Sequence, residues 1–359
     1  MLQKIHENAL NLEKEGKKLT KLNVGEPDQS TPCEIIDAAY VAMKEGKTRY
    51  SFATGEEKLR AELASLHGVS EANVVITPGS KWAIFTIIYL LLQNGGNIVI
   101  PSPYWTPYVQ IAKYLGKKVR FLRTDIEQEW QLNIEALEEL IDSQTRLLIL
   151  NSPNNPTSKV IDEKTLTEIV ELANNKKIMI LSDEVYSGIS FAKSKSIVDL
   201  DDNHILTESF SKTFGMTGWR IGYVIAEKSF IEKVTQLNQL TLTNVPVFIQ
   251  EAAMKALELR EKLIAETREI YRSRADLACR ILSNTELKFI KPDAPFYIFA
   301  KYENLDSEEF LLKMLDKGVV LAPGTAFGNY RDHFRIALTI PEKEIKLALK
   351  TIVSGLESL

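Results

Sequence analysis

From Val74 onward the chain alternates short runs of β-branched and aliphatic residues with longer amphipathic stretches, and this alternation restricts the fold more than any other feature. Strands are expected at 74–76, 98–100, 119–122, 146–150, 178–182, 205–209 and 222–226. Several are apolar without interruption, as strands are when helices cover both faces of their sheet. Helices are expected near 80–93, 104–116, 134–142 and 163–174, the third opening behind Asn133 as its cap. Together these elements predict an α/β domain with a mostly parallel, seven-stranded sheet flanked by helices.

Beyond Pro246 the pattern changes to a long helical stretch over 246–283, short strands around 286–301, a helix at 307–317 and strands at 319–321 and 334–338. A smaller α+β domain is expected there. Residues 1–45 lack the parallel-strand pattern and are expected to pack with it, which divides the chain into a large domain, 46–245, and a small one, 1–45 with 246–359. A chain of 359 residues exceeds a comfortable single core, in keeping with two domains.

A net charge of -4 and a pI of about 5.8 offer no electrostatic reason for a nucleic-acid or membrane partner, which leaves small molecules. Cys33 and Cys279 lie far apart without a C-x-x-C pair, so neither a disulfide framework nor a metal site is expected, and a reducing cytoplasm fits. The N-terminus is charged and helix-like and does not read as a signal peptide. The longest apolar run, Ile84 to Leu92, is too short to span a bilayer and reads as a buried helix.

The densest chemical signal is the stretch from Ser209 to Tyr223, which follows an expected strand and crowds Ser209, Ser211, Lys212, several glycines and Arg220 together. Hydroxyls, close-approaching backbone and a forked guanidinium suit a phosphate. A lysine within such a cradle could form a Schiff base with an aldehyde cofactor anchored there. By itself Lys212 reads better as a solvated lysine in a glycine-rich loop. In Ser182-Asp183-Glu184-Val185-Tyr186, at a strand's C-terminal end, Asp183 could pair with a pyridine nitrogen and Tyr186 could donate to a ring oxygen. Alone, an acidic pair there is more often a cap or an ion-pair partner.

Three further segments stay open on their own residues. In Asn151-Ser152-Pro153-Asn154-Asn155-Pro156-Thr157, the Asn155 amide could address a ring oxygen, or the segment could be turn chemistry alone. Gly79 and Ser80, between a strand and a long helix, form either a phosphate site on a helix N-terminus or an ordinary cap. Tyr104, just past the next strand, could stack on a flat ring or pack at a rim.

Taken in order, N-V-G-E-P-D, T-R-Y, P-G-S, S-P-Y-W, N-S-P-N-N-P-T, S-D-E-V-Y, S-x-S-K and G-M-T-G-W-R-I-G-Y resemble the class I aminotransferases of the pyridoxal-phosphate fold type I. The resemblance runs from about Leu22 to Thr339 and is closest to the aspartate/prephenate branch. It implies pyridoxal 5'-phosphate as cofactor, with Lys212 carrying it covalently and, once released, acting as the base. Asp183 would hold the ring nitrogen, Asn155 and Tyr186 the ring oxygen, and Tyr104 would stack on the ring. Ser209, Ser211, Arg220 and the Gly79–Ser80 amides would hold the phosphate. Arg335, in Phe334-Arg335-Ile336-Ala337, would clamp the substrate α-carboxylate with help from Gly25 and Asn155; without the resemblance it reads as a surface ion pair. Tyr50 would reach the phosphate of a partner subunit, so a homodimer is implied.

The resemblance implies transfer of an amino group between an amino acid and a 2-oxo acid such as 2-oxoglutarate, by a ping-pong mechanism. Lys81 matches a position that reads a distal carboxylate in one branch, which points to an aspartate- or glutamate-like substrate; it could equally cap its helix. Alanine and aromatic substrates stay open, as do a lyase, decarboxylase or cyclopropane-forming synthase on the same fold. A pyridoxal-phosphate-binding regulator would need a DNA-binding module, for which residues 1–22 leave no room, and a dinucleotide-binding protein would need a G-x-G-x-x-G that is not found. Two departures stand out: Ser158 occupies a position usually held by glycine, and the short segment before Gly25 implies a more open site.

Overall fold

The computed structural model describes residues 2–201, 203–303 and 305–358. In chain order, α1 (Leu2–Lys14), β1 (Thr20–Lys21), α2 (Cys33–Lys44) and α3 (Glu57–His67) come first. Next are β2 (Val74–Thr77), α4 (Ser80–Leu91), β3 (Asn97–Ser102), α5 (Thr106–Tyr114), β4 (Lys118–Arg123) and α6 (Ile134–Leu140). They lead to β5 (Thr145–Asn151), α7 (Glu163–Lys176), β6 (Met179–Asp183), β7 (Ile205–Ser209), α8 (Phe210–Thr213) and β8 (Gly222–Ile225). Helices α9 (Lys228–Thr241), α10 (Val247–Glu258) and α11 (Arg260–Leu282) precede β9 (Tyr297–Lys301) and α12 (Ser307–Asp316). Strands β10 (Val319–Val320), β11 (Ala322–Pro323) and β12 (His333–Ala337) and helix α13 (Glu342–Leu356) close the chain.

All seven expected strands form, and among the described residues they build one sheet in the order β2-β8-β7-β6-β5-β3-β4. Every pairing is parallel except those of β8, which runs antiparallel to β2 and β7. The strands sort their side chains by parity. Ile76, Leu148, Ile180 and Leu206 join one buried cluster, whereas Val75, Leu147, Leu181 and Ile205 join the cluster on the opposite face. Both faces are dry, which is why these runs read as uninterrupted apolar segments.

The smaller unit holds a three-stranded antiparallel sheet, β11-β12-β9, and the parallel pair β1-β10. Its core gathers Leu22, Ala278, Phe310, Val320, Phe334 and Ile352. The helical stretch over 246–283 is two helices, separated at Leu259. The sequence division grouped residues 1–45 and 246 onward with the small domain, yet Ile35 and Ala39 of α2 and Ala252, Ala253 and Ala256 of α10 are buried in the large sheet's cluster. The two helices carry matching small-residue faces, a long-range complementarity that neither segment reveals alone.

Candidate active site

Three parallel strands end side by side and aim their last residues into one cavity. Asn151 ends β5 in register with Asp183 at the end of β6, and Ser209 ends β7 next in the sheet. The mouth thus lies at the carboxyl edge, where open α/β sheets present ligand-binding groups. The cavity, about 1150 Å³, is lined by Gly25, Ser80, Lys81, Tyr104, Asn155, Asp183, Tyr186, Ser209, Ser211, Lys212, Arg220 and Arg335. Of the expected site residues, Gly79 and Tyr50 are not part of its lining, although Gly79 directly precedes Ser80, which is.

Lys212 stands on the four-residue helix α8, whose first turn is capped by the Ser209 hydroxyl accepting from the Ser211 N–H at 3.1 Å. Its ammonium donates to the Gly25 carbonyl at 2.7 Å. Burial lowers the Lys212 pKa from 10.5 to about 8; the Arg335, Arg220 and Lys81 charges push the same way and Glu26 opposes them. An amine so placed is partly neutral near physiological pH and can accept a proton.

Asp183 is 2% exposed, and burial raises its pKa from 3.8 to about 6 against the hydrogen bond from Tyr108 and the nearby Lys212 charge. The Tyr108 hydroxyl donates to Asp183 Oδ2, and the Val185 N–H donates to Oδ1 at 3.4 Å. Nothing at this depth neutralises the carboxylate fully, so a cationic N–H delivered by a ligand would restore its charge.

Arg335, on β12, is 6% exposed. Its guanidinium donates to Asn155 Oδ1 at 2.7 Å and to the Asn23 carbonyl at 2.6 Å, while its Nε and the Asn23 Oδ1 are buried without a partner. It lies between two aromatic faces, 4.3 Å from the Tyr297 centroid and 4.8 Å from that of Phe327. No ion pair engages it among the described residues. A buried cation with a spare donor inside a cavity suits a carboxylate.

Tyr297 is a residue that local motifs did not reveal. Its hydroxyl lies 3.0 Å from that of Tyr186, and a Cβ on residue 25 would fall 1.8 Å from its oxygen. Glycine is therefore required at position 25, for space alone. Ser158, with φ of 56°, takes up the left-handed backbone usually left to glycine and repays the cost with contacts: its hydroxyl accepts from the Tyr297 N–H at 3.1 Å. The serine thereby becomes a support for Tyr297. Tyr108, also missed, lies in the first turn of α5, just past the Ser102-Pro103-Tyr104-Trp105 motif.

The opposite character prevails around Arg220, which is exposed, has φ of 54° and donates to the Thr217 carbonyl at 2.7 Å. Gly79 precedes α4 with φ of 82°, and a Cβ there would lie 2.7 Å from the Arg220 guanidinium. Ser209 and Ser211 hydroxyls sit 2.7 Å apart. These donors, with the N-terminus of α4, form a cradle that suits a phosphate. A pyridine ring bearing an aldehyde and a phosphate arm matches the whole donor set: a buried acid, a lysine amine, and the cradle. Tyr104 stacks on Phe121 at 5.0 Å. The Lys81 ammonium lies over the Trp105 ring at 5.2 Å, on the cavity rim. Tyr50 is 88% exposed.

The model of the family described as aminotransferase class I and II matches residues 17–352. An aspartate aminotransferase of Thermococcus kodakarensis is 34% identical, covering 94% of this chain and 89% of that protein. An aromatic-amino-acid aminotransferase of Thermococcus litoralis is 36% identical, covering 87% of this chain and 84% of that protein. Among solved structures, a Thermus thermophilus aspartate aminotransferase variant superposes with a TM-score of 0.95 at 29% identity, covering 99% of this chain and 96% of that one.

Proposed function

We propose, from the premise that this chain belongs to the class I and II aminotransferases and uses pyridoxal 5'-phosphate, that it moves an amino group between an aspartate- or glutamate-like L-amino acid and a 2-oxo acid such as 2-oxoglutarate. The observation that carries this reading is the meeting of Lys212, Asp183 and Arg335 in one cavity. Bound there, the cofactor supplies an aldehyde to take up the amino group and a ring to accept the electron pair left on the substrate carbon.

The chain's own residues do the rest. Arg335 grips the substrate α-carboxylate in forked geometry with Asn155 and Gly25, which orients the α-carbon. The Lys212 amine removes the α-proton at Nζ, as its lowered pKa allows. Asp183 holds the ring nitrogen's proton, Asn155 and Tyr186 bond the ring oxygen, and Tyr104 covers one face of the ring. Ser209, Ser211, Arg220 and the Gly79 and Ser80 amides hold the phosphate. Lys81 offers its charge to a distal carboxylate, which favours a dicarboxylic substrate over an aromatic one.

A homodimer belongs to the same proposal. Ile36, Tyr40, Val41 and Met43 of α2 are exposed, and with Tyr50 and the 71% exposed Phe52 they form an apolar surface suited to a second copy. Tyr50 would then complete the phosphate cradle of the partner. The free cysteines Cys33 and Cys279 fit a cytoplasmic setting, and no helix among the described residues is long and apolar enough to cross a membrane.

The decisive experiment follows the visible spectrum of the cofactor-loaded protein. Glutamate should convert it to the amine form and 2-oxoglutarate should restore it; no conversion with any amino acid ends the transaminase reading. Lys212→Ala should retain no covalently held cofactor and lose at least about 10³-fold in kcat.

A further inference from the structure

A second cavity, of about 300 Å³, lies behind the wall of the first and shares with it only Tyr104, Tyr108 and Asn151. No role assigned above uses it. Its depth is apolar and aromatic: Tyr108, Trp130 and Val160 are buried, and Ile149 lies beneath them. The buried polar side chains there are already satisfied. Asn151 donates to the Asp183 carbonyl at 2.9 Å and accepts from the Asn155 N–H at 2.8 Å. Thr124 donates to the Ser102 carbonyl at 2.9 Å and Thr157 to Asn154 Oδ1 at 2.9 Å. None of the buried, unpartnered side-chain atoms among the described residues belongs to this cavity. Its interior therefore rewards an apolar group and offers nothing to a polar one.

The mouth differs. Both acids there are engaged: Asp162 accepts from the Thr165 N–H at 2.9 Å and from its hydroxyl at 2.7 Å, and Asp293 lies 3.2 Å from the Lys159 ammonium. Lys193 is exposed and makes no ion pair among the described residues. Asp162 keeps its charge as the N-cap of α7, where the positive end of the helix offsets it, so among the described residues Lys193 is the charged group at the entrance that nothing offsets.

We propose that this chamber binds a small aromatic monocarboxylate, with its ring against Tyr108 and Trp130 and its carboxylate toward Lys193. A volume at the small end of the range for ligand sites, about 300–1,000 Å³, fits one ring with a short arm, and aromatic walls favour edge and face contacts with it. The occupant would press on the same Tyr108 whose hydroxyl holds Asp183. The site does not depend on which amino acid the first cavity accepts.

The test titrates phenylacetate, which has no amino or 2-oxo group to exchange, into the cofactor-loaded protein by calorimetry, with and without saturating succinate to fill the Arg335 site. Binding should persist in succinate and acetate should give none. Lys193→Glu, an exposed change, should weaken it by about fivefold, and Leu132→Trp, which fills the chamber, should abolish it. No binding at millimolar phenylacetate, displacement by succinate, or unchanged affinity in Lys193→Glu would each overturn the proposal, and the last of these decides even if Leu132→Trp does not fold.

Discussion

The two parts of the principal cavity are built in opposite ways. Asp183, Tyr186, Asn155 and Arg335 are buried and tied to neighbouring side chains or to backbone, whereas Arg220 and Lys81 are exposed and Tyr50 is 88% exposed outside the cavity. The buried part resembles a mould whose groups lost their solvation on folding, so its geometry is preset. The exposed part is hydrated, and under the proposed function a phosphate or a second subunit would cover it. Damage to the first part should therefore act on chemistry, and damage to the second mainly on retention of the cofactor.

Arg335→Leu tests the mould most severely. It removes the forked donor and leaves Asn155 Oδ1 and the Asn23 carbonyl buried without partners, so kcat/KM should fall by about 10²-fold or more while the cofactor spectrum is kept. A loss below about threefold would mean that Arg335 does not hold the carboxylate.

The next effect concerns stability. Burial raises Asp183 from 3.8 to about 6 and Glu184 and Glu208 from 4.5 to about 7. Each folded value lies above the unfolded one, so the folded chain holds the proton more tightly. Stability is complete below the unfolded values and is lost as pH rises through about 6 and then about 7. For Asp183 alone the loss is about 3 kcal/mol. Lys212 acts in the opposite sense, and only above about pH 8. His67, lowered by burial from 6.5 to about 4, and His204 and His333, also lowered, oppose the carboxylates below the unfolded histidine value of 6.5. The thermal midpoint of the cofactor-free protein should therefore fall between about pH 6.5 and 7.5, and Glu208→Gln should flatten part of that slope; a midpoint that rises over this range contradicts the raised carboxylates.

Tyr108→Phe is a milder change. Losing the donor should raise the Asp183 pKa further and lower kcat by about tenfold with a smaller loss of cofactor affinity, read from kcat at saturating cofactor and the pH midpoint of the visible band. Tyr50→Phe should have the smallest effect, a loss of cofactor affinity of about three- to tenfold with kcat unchanged at saturating cofactor. A kcat loss equal to that of Arg335→Leu would erase the distinction between the two parts.

Much of this was legible in the chain. The seven strands were readable because a strand buried on both faces must be apolar at every position, and the clusters on the two faces of the sheet divide those residues by parity. Lys212, Asp183, Asn155 and Arg335 were readable from motif order, and all four line one cavity. Tyr297 was not: it belongs to β9, and its neighbours Gly25, Tyr186, Ser158 and Arg335 come from four separate segments. The small-residue match of α2 with α10 was equally hidden, as was the second chamber behind Tyr104 and Tyr108.

The sequence by itself determined the strand set, the sheet's two-faced burial and, through the order of its motifs, the lysine proposed to carry the chemistry, because each depends on local periodicity or on short motifs whose spacing the backbone fixes. Only the tertiary structure decided why position 25 must be glycine, what a serine does at 158, which helices cover the large sheet and where a second ligand could enter. Those outcomes depend on excluded volume and hydrogen bonds between segments that are distant in the chain, and close packing settles them only when all the segments are present at once.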